Sequence, residues 1–420
     1  MDVRLEKAKH IVAEGKVREA HGGYYVASAS GVHREYRVTL DGLYPSCSCE
    51  DFDLHGGRCK HIEAAAIFRA QQAAGHAAEC DQPGPMPKKK TYSQDWPNYN
   101  AAQINEGYYV KRLLHDLCQT IPEPPPSGKR GRPRLSVRDG IYSACMKVYG
   151  GMSARRSSSD LEECRDAGFL TAAPHFNSVL NVLDDPATEP ILTELVRLSA
   201  LPLAAVEVDF AVDSTGFSSN CHARWFNKKY GHESTKATWV SCHAMCGVKT
   251  NVITAVKIME QHSADSPQLP DLARTTSQGF TIVEVSADRA YASQENFNAV
   301  DELGGILFAA FRSNTTGGVG GLFEKAFLFF RWHREEYLQF YHKRSNVEST
   351  FSALKRKLGD SVRGKSDVSM RNEVLAKVVC YNLTCCIAEW YTLGIAPVFL
   401  PEDGCTNNRE PAQIIRFPRR

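Results

Sequence analysis

The sequence predicts a mixed α/β protein. An α/β sheet domain spans residues 206–395, behind a helical region and a small α+β unit built around a cysteine cluster. Three observations lead there. Strand-like alternation appears at 206–212, 237–248, 251–258 and 280–287, interleaved with helical patterns. Residues 136–204 carry Ala, Leu and Val at helical spacing. Cys47, Cys49, Cys59 and His61 crowd into fifteen residues. With 420 residues, 43% hydrophobic and 23% charged, the chain has material for two or three domains and a sizeable core, which excludes disorder as its main state.

In chain order, Leu5–Glu14 reads as a helix, Gly23–Ala29 and Arg34–Leu40 as strands, and the Ala-rich Ile62–Ala73 as a helix, giving a first domain over 1–75. Residues 76–135 read as a linker. Gly, Pro and Lys88-Lys89-Lys90 open it, a short helix follows at about 101–121, and Pro124-Pro125-Pro126 then excludes helix. After the helical region at 136–205, helices are expected near Pro270–Thr275, Ser293–Glu302, Arg344–Leu358 and Arg371–Tyr391. Residues 396–420 read as a tail. Fifty Lys and Arg against 48 Asp and Glu leave a net charge of +2, so only local charge can indicate a polyanionic partner. The apolar run Val378–Ala388 is broken by Asn382 and Thr384 and is too short for a membrane span. The N-terminus shows no apolar signal segment, so the fourteen cysteines are expected in a reducing compartment, as metal ligands or core residues.

Cys47 and Cys49 are two apart, as are Cys59 and His61, with nine residues between the pairs. Two such pairs make a closed tetrahedral set for a structural Zn²⁺, with no position left for water. Cys-x-Cys followed by Cys-x-His and a helix resembles the SWIM zinc finger. That resemblance implies DNA or protein as partner of this domain and does not choose between them. Cys221, His222, Cys242, His243 and Cys246 form a weaker metal candidate. They fall in strand-like runs, where cysteine serves as a small core residue.

The run Val206–Asp213 alternates, with Val206, Val208, Phe210 and Val212 on one face and Glu207, Asp209 and Asp213 on the other. It is expected to stop at Ser214-Thr215-Gly216, leaving Asp213 at a strand end. Asp288 likewise follows the run 281–287. Tyr341, Arg344, Glu348 and Lys355 fall within a roughly 60° stripe of a single helix, beside Val347, Phe351, Leu354 and Leu358. The stripe suits a surface ion-pair row, and it equally suits an acid given to a metal between phosphate-gripping cations. Three carboxylates are what two-metal phosphoryl transfer requires, with Mg²⁺ or Mn²⁺ as the hard ions.

Tyr341-x2-Arg344-x3-Glu348-x6-Lys355, Asp213-x-Thr215-Gly216 and Asp288-Arg289-x-Tyr291 together resemble the insertion-sequence DDE transposases. Tyr149-Gly150-Gly151-Met152-Ser153-Ala154-Arg155-Arg156 is similar to the family's N-terminal helical region. The resemblance covers residues 95–400. It implies a ribonuclease H-like catalytic domain, a mixed sheet with flanking helices, in which Asp213, Asp288 and Glu348 bind two Mg²⁺ or Mn²⁺ ions. Tyr341 and Arg344 would contact the DNA backbone, and Lys355 a terminal phosphate. Asp209 stands in reserve for the first acid. The 59 residues between Asp288 and Glu348 leave little room for the large β insertion of hairpin-forming relatives.

Seven Lys and Arg against two acids between Tyr341 and Lys365 fit a phosphate-backbone footprint. Arg130-Gly131-Arg132-Pro133 resembles an AT-hook core for the minor groove, and equally an ordinary basic linker. The resemblance as a whole implies a DNA transposase that binds its element's terminal repeats, hydrolyses the 3′ ends and joins them to target DNA. It would act as a homodimer on DNA, in the cytoplasm of a prokaryotic host and associated with the nucleoid. A metal-dependent nuclease of the same fold, or a non-catalytic zinc-containing DNA-binding protein, is the alternative.

Overall fold

The computed structural model describes residues 3–20, 23–28, 35–40, 45–55, 59–74, 95–125, 134–219, 239–259, 264–312 and 315–399. The chain packs as two units. The first comprises Met1–Tyr92 with Ala310–Gly318 and Leu328–Glu336, and the second the remainder.

In the first unit, α1 (Val3–Ala13) leads into an antiparallel meander of β1 (Val17–Ala20), β2 (Gly23–Ala27), β3 (Glu35–Thr39) and β4 (Ser46–Cys47), followed by α2 (Glu50–His55) and α3 (Lys60–Ala74). Alternation sets the sheet's inner face: Tyr24 and Val26 of β2 and Val38 of β3 are buried with Ala8 and Ile11 of α1. The small Ala64 and Ala65 let α3 approach closely. The strand β1 carried no sequence expectation. It is a four-residue strand that shows only in its pairing with β2.

The second unit begins with helices α4 (Trp96–Cys118), α5 (Val137–Tyr149), α6 (Ser158–Asp166), α7 (Phe176–Asp184) and α8 (Thr188–Ala200). A mixed sheet follows, in the order β7-β6-β5-β8-β9, made of β5 (Asp209–Ser218), β6 (Trp239–Gly247), β7 (Ile253–Met259), β8 (Glu284–Ala287) and β9 (Ile306–Ala309). β5, β6 and β7 are antiparallel to one another, whereas β5, β8 and β9 run parallel. Between and after the strands come α9 (Leu269–Ser277), α10 (Gln294–Asp301), α11 (Gly321–Trp332), α12 (Arg334–Tyr341), α13 (Ser345–Leu358) and α14 (Asp367–Leu393), of which the end of α11 and the start of α12 belong to the first unit. Among the described residues between Asp288 and Glu348, β9 is the one strand, so no inserted sheet is seen there.

The long helix α14 is buried along most of its length against α4, α5, α7 and α8. Asn382, which interrupts the apolar run, is fully buried and fastens the helix to β7. Its side-chain carbonyl accepts from Ile253 N at 2.9 Å, and its amide donates to Ile253 O at 2.7 Å and Ser199 Oγ at 3.0 Å. Among the described residues no helix is long and apolar enough to cross a membrane.

Three local expectations are corrected. First, β5 does not stop at Asp213 but continues to Ser218, because β6 supplies antiparallel partners (Thr215↔Cys242, Phe217↔Val240) after the parallel pairing with β8 ends at Val212↔Ala287. Second, Glu207 is buried while Val208 is exposed, opposite to the alternation. Glu207 precedes the strand and accepts hydrogen bonds from Lys249 N (3.2 Å) and Thr250 N. A Cβ at Gly247 would lie 2.4 Å from its carboxyl carbon, so only glycine leaves space for it. Third, the Tyr-Arg-Glu-Lys stripe does not lie on one continuous helix. Tyr341 closes α12, residues 342–344 form a 3₁₀ turn, and α13 starts at Ser345. The apolar face holds: Val347, Phe351, Leu354 and Leu358 are all buried.

Candidate active site and zinc centre

The acids meet through the sheet register. β5 and β8 run parallel, with Val212 opposite Ala287, so Asp213 and Asp288 each come one residue beyond that last pair. Neighbouring strands lie about 4.8 Å apart, which brings the two acids side by side. Asp213 Oδ1 accepts from Ser214 N at 2.8 Å. Asp288 caps the 3₁₀ turn Arg289–Tyr291 by accepting from Arg289 N. Glu348 arrives from the first turn of α13, with its side chain 59% exposed and free to turn.

Arg344 ties the helix acid to the strand acid. Its Nη1 is 3.1 Å from Asp213 Oδ2 and its Nη2 is 2.6 Å from Glu348 Oε1. Burial pushes the Asp213 carboxyl above its usual range, and the charges of Asp288 and Glu348 add to this, while Ser214 N–H and Arg344 oppose it. Burial works against the Arg344 charge, but Tyr341 and the three acids outweigh it and hold the guanidinium above its ordinary value. Asp213, Asp288 and Glu348 therefore form a crowded anionic site that calls for cationic compensation, and their hard oxygens suit Mg²⁺ or Mn²⁺.

The other stripe residues are placed differently. Tyr341 is buried, so its ring is not on the surface expected for a DNA contact. Lys355 reaches back to β5, donating to Thr215 Oγ1 at 2.6 Å and standing 5.3 Å from the centre of the Phe217 ring. Thr215 of the Asp-x-Thr-Gly run thus holds the lysine. At Gly216 an added Cβ would come within 3.0 Å of the Trp239 ring, so the glycine leaves that ring its space. Arg130, Arg132, Cys221 and His222, like the basic tail, lie outside the described residues. Cys242 and Cys246 are buried core residues of β6, as is His243.

Sequence reasoning missed Lys343. Its Nζ lies 2.7 Å from Asp209 Oδ2 and 2.5 Å from Glu284 Oε2, so it clamps the 3₁₀ turn carrying Arg344 to both acid-bearing strands. Asp209, the reserve first acid, is occupied in this pair. A signal existed: Asp209 precedes Asp213 by four residues, and Glu284 precedes Asp288 by four. Lys343→Met would leave two half-buried carboxylates facing each other. It is expected to cost about 1–3 kcal/mol of stability, read as a lower urea midpoint. Asp209→Asn in the same chain should recover part of that loss, and an unchanged midpoint in the single variant would show that the clamp contributes nothing.

In the first unit, Cys47 on β4, Cys49 before α2, Cys59 before α3 and His61 in the first turn of α3 are all buried, with candidate ligand atoms within 4.8 Å of one another. Among the described residues this is the one group at that spacing, the three carboxylates standing farther apart. Cys47 Sγ to His61 Nδ1 is 3.9 Å, near the roughly 3.6 Å edge of a tetrahedral zinc site. His61 Nε2 is buried without a hydrogen-bond partner, and Tyr36 stacks on the ring at 4.4 Å. The donor set, three thiols and one imidazole, fits a structural zinc. Hydrogen bonds from Cys47 and Cys49 pull the Cys59 thiol down to about 3, helped by backbone N–H groups of Ile62 and His61.

Two family models match the chain. The one described as Transposase DDE domain covers residues 205–383, and the one described as SWIM zinc finger covers residues 36–70. The first takes in the five-stranded sheet and all three acids, and the sheet is that of a ribonuclease H-like fold. The second takes in the four Cys and His ligands. No curated protein matches the chain.

Proposed function

The chain carries a DDE transposase domain behind a SWIM zinc finger, and from that premise we propose that it is a DNA transposase that binds the ends of its own mobile element, hydrolyses their 3′ ends and joins them to target DNA. The observation that carries this reading is the convergence of Asp213, Asp288 and Glu348 from two parallel strands and a helix, with Arg344 between the first and the last.

Asp213, Asp288 and Glu348 would hold two divalent ions, Mg²⁺ or Mn²⁺. Once bound, such ions activate an attacking oxygen and neutralise the charge that develops at phosphorus. The chain's own groups position the DNA around that point. Arg344 has a planar fork of donors suited to a phosphate, and Lys355 on the following helix α13, held by Thr215, gives a point charge. Burial lowers the Lys355 ammonium from its ordinary value, and a phosphate oxygen beside it would oppose that shift. Arg130 and Arg132 would follow the minor groove next to the element end. Two ends held together call for a homodimer on DNA, in the cytoplasm of a prokaryotic host.

The test uses the DNA flanking the gene on a supercoiled plasmid, with purified protein and Mg²⁺ or Mn²⁺. Breaks at the element ends, followed by joined products, support the reading. Breaks that ignore the flanks indicate a nuclease of the same fold. Binding without cleavage in either ion overturns the catalytic reading.

A further inference from the structure

A second cationic site lies in the same unit, away from the acids. A cavity of about 330 Å³ is lined by Lys147 of α5, Arg155, Phe176 of α7, Arg363, Ser369 and Glu373, the last two on α14. Three cations against one carboxylate leave its wall positive. Lys147 is only 4% exposed, and among the described residues its ion-pair partner is Glu373 Oε1 at 3.9 Å, beyond hydrogen-bond reach. The other Glu373 oxygen is taken by Arg363 N and Gly364 N, both at 2.9 Å. Lys377 is committed to Gly359 O and Ser361 O. The Lys147 ammonium carries three donors and lines the cavity. Arg155 stands over the Phe176 ring at 5.1 Å, so the wall also offers a flat aromatic surface beside the charge.

The cavity is wired to the acid-bearing strand. The loop after α13 pairs with the end of β5: Ser218 N donates to Asp360 O at 3.1 Å, and Val362 N donates to Ser218 O at 2.9 Å. A Cβ at Gly364 would come within 2.7 Å of Met370 N, so glycine there lets the loop press onto α14 and sets Arg363 at the cavity. Ser218 is five residues beyond Asp213 on β5, about 17 Å of strand. Along the axis of a duplex that length spans about five base pairs.

We propose that this cavity is a second DNA contact, which seats one backbone phosphate a few nucleotides from the scissile position through Lys147 and Arg363. The proposal rests on the transposase reading and adds to it a fixed point that sets where the bound strand lies against the acids.

The test measures fluorescence anisotropy of a labelled duplex from the flanking DNA with the full-length zinc-containing protein, over a series of salt concentrations and without divalent ions that support cleavage. Arg363→Gln should weaken binding about tenfold and lower the slope of log K against log salt by about one. Lys147→Met should act in the same direction. Because Lys147 is buried and its variant risks misfolding, the exposed Arg363 keeps the test decisive. Wild-type affinity and slope in a folded Arg363→Gln protein overturn the cavity as a DNA contact. So does thymidine 5′-monophosphate binding that Arg363→Gln abolishes while duplex affinity is unchanged, which would mark a free-nucleotide site. A wild-type protein that binds no duplex overturns the transposase reading instead, so the two failures are distinguishable.

Discussion

Glu348→Gln is expected to reduce metal-dependent cleavage by at least about 10³-fold, equivalent to about 4 kcal/mol of barrier, while duplex binding stays the same or tightens. Glutamine keeps the shape of the side chain and removes its charge. Glu348 is largely exposed, and the helix beneath it is held by Val347, Phe351 and Leu354, so stability should change by no more than about 0.5 kcal/mol. What is lost is one of three carboxylates that would share the divalent ions. Duplex binding has reason to improve, because a negative charge facing phosphates disappears and Arg344 loses one of its two carboxylate partners. A readout independent of cleavage is thermal stabilisation by Mn²⁺. A ligand at a hundred times its Kd stabilises by about 2.7 kcal/mol, and the variant should show a smaller gain at the same concentration. If Glu348→Gln cuts DNA at the wild-type rate, Glu348 is only the i,i+4 partner of Arg344, an ion pair contributing about 0.3–0.5 kcal/mol.

That outcome would separate the two readings of the stripe that periodicity leaves equal. Helical spacing shows that Tyr341, Arg344, Glu348 and Lys355 share a direction, but it is blind to what lies opposite. The opposite side comes from strands more than fifty residues away: Asp213 for Arg344, Thr215 for Lys355, and Asp209 with Glu284 for Lys343. Local pattern likewise located α3, α13 and α14 and the buried face of α13. It misjudged where β5 ends, because polar and small residues at Ser214–Gly216 look like a turn until the partner strand β6 is known. It reversed Glu207 for the same reason, since the carboxylate's donors, Lys249 and Thr250, are about forty residues on. The four-residue strands β1 and β9 are too short to show a period. The zinc ligands, by contrast, were legible in full, because their four positions fall within fifteen residues and spacing alone sets the chemistry.

Removing zinc is expected to unfold the first unit outright. Its buried apolar set is small, about a dozen residues in which alanine and cysteine are prominent, and such a core seldom sustains a fold without a staple. The four ligands tie β4 to α2 and α3, so the metal holds the elements that the core holds weakly. Structural zinc contributes about 10–16 kcal/mol of apparent binding energy near neutral pH, more than such a core supplies. A strong chelator should release one zinc per chain and abolish the circular-dichroism signal of the four-stranded sheet, and Cys59→Ala should do the same without chelator. The pH dependence has a definite sign. Cys59 is held low and already favours the thiolate, whereas its neighbour Cys47 is pushed up by hydrogen bonds to Cys49 and Cys59. Zinc binding displaces thiol protons, measurable as acid release in weak buffer. Affinity falls as pH falls, because protons compete for the same sulfur and imidazole atoms. A protein that contains no zinc as purified, or that keeps its sheet signal after complete chelation, would remove the metal from the account of this unit's stability.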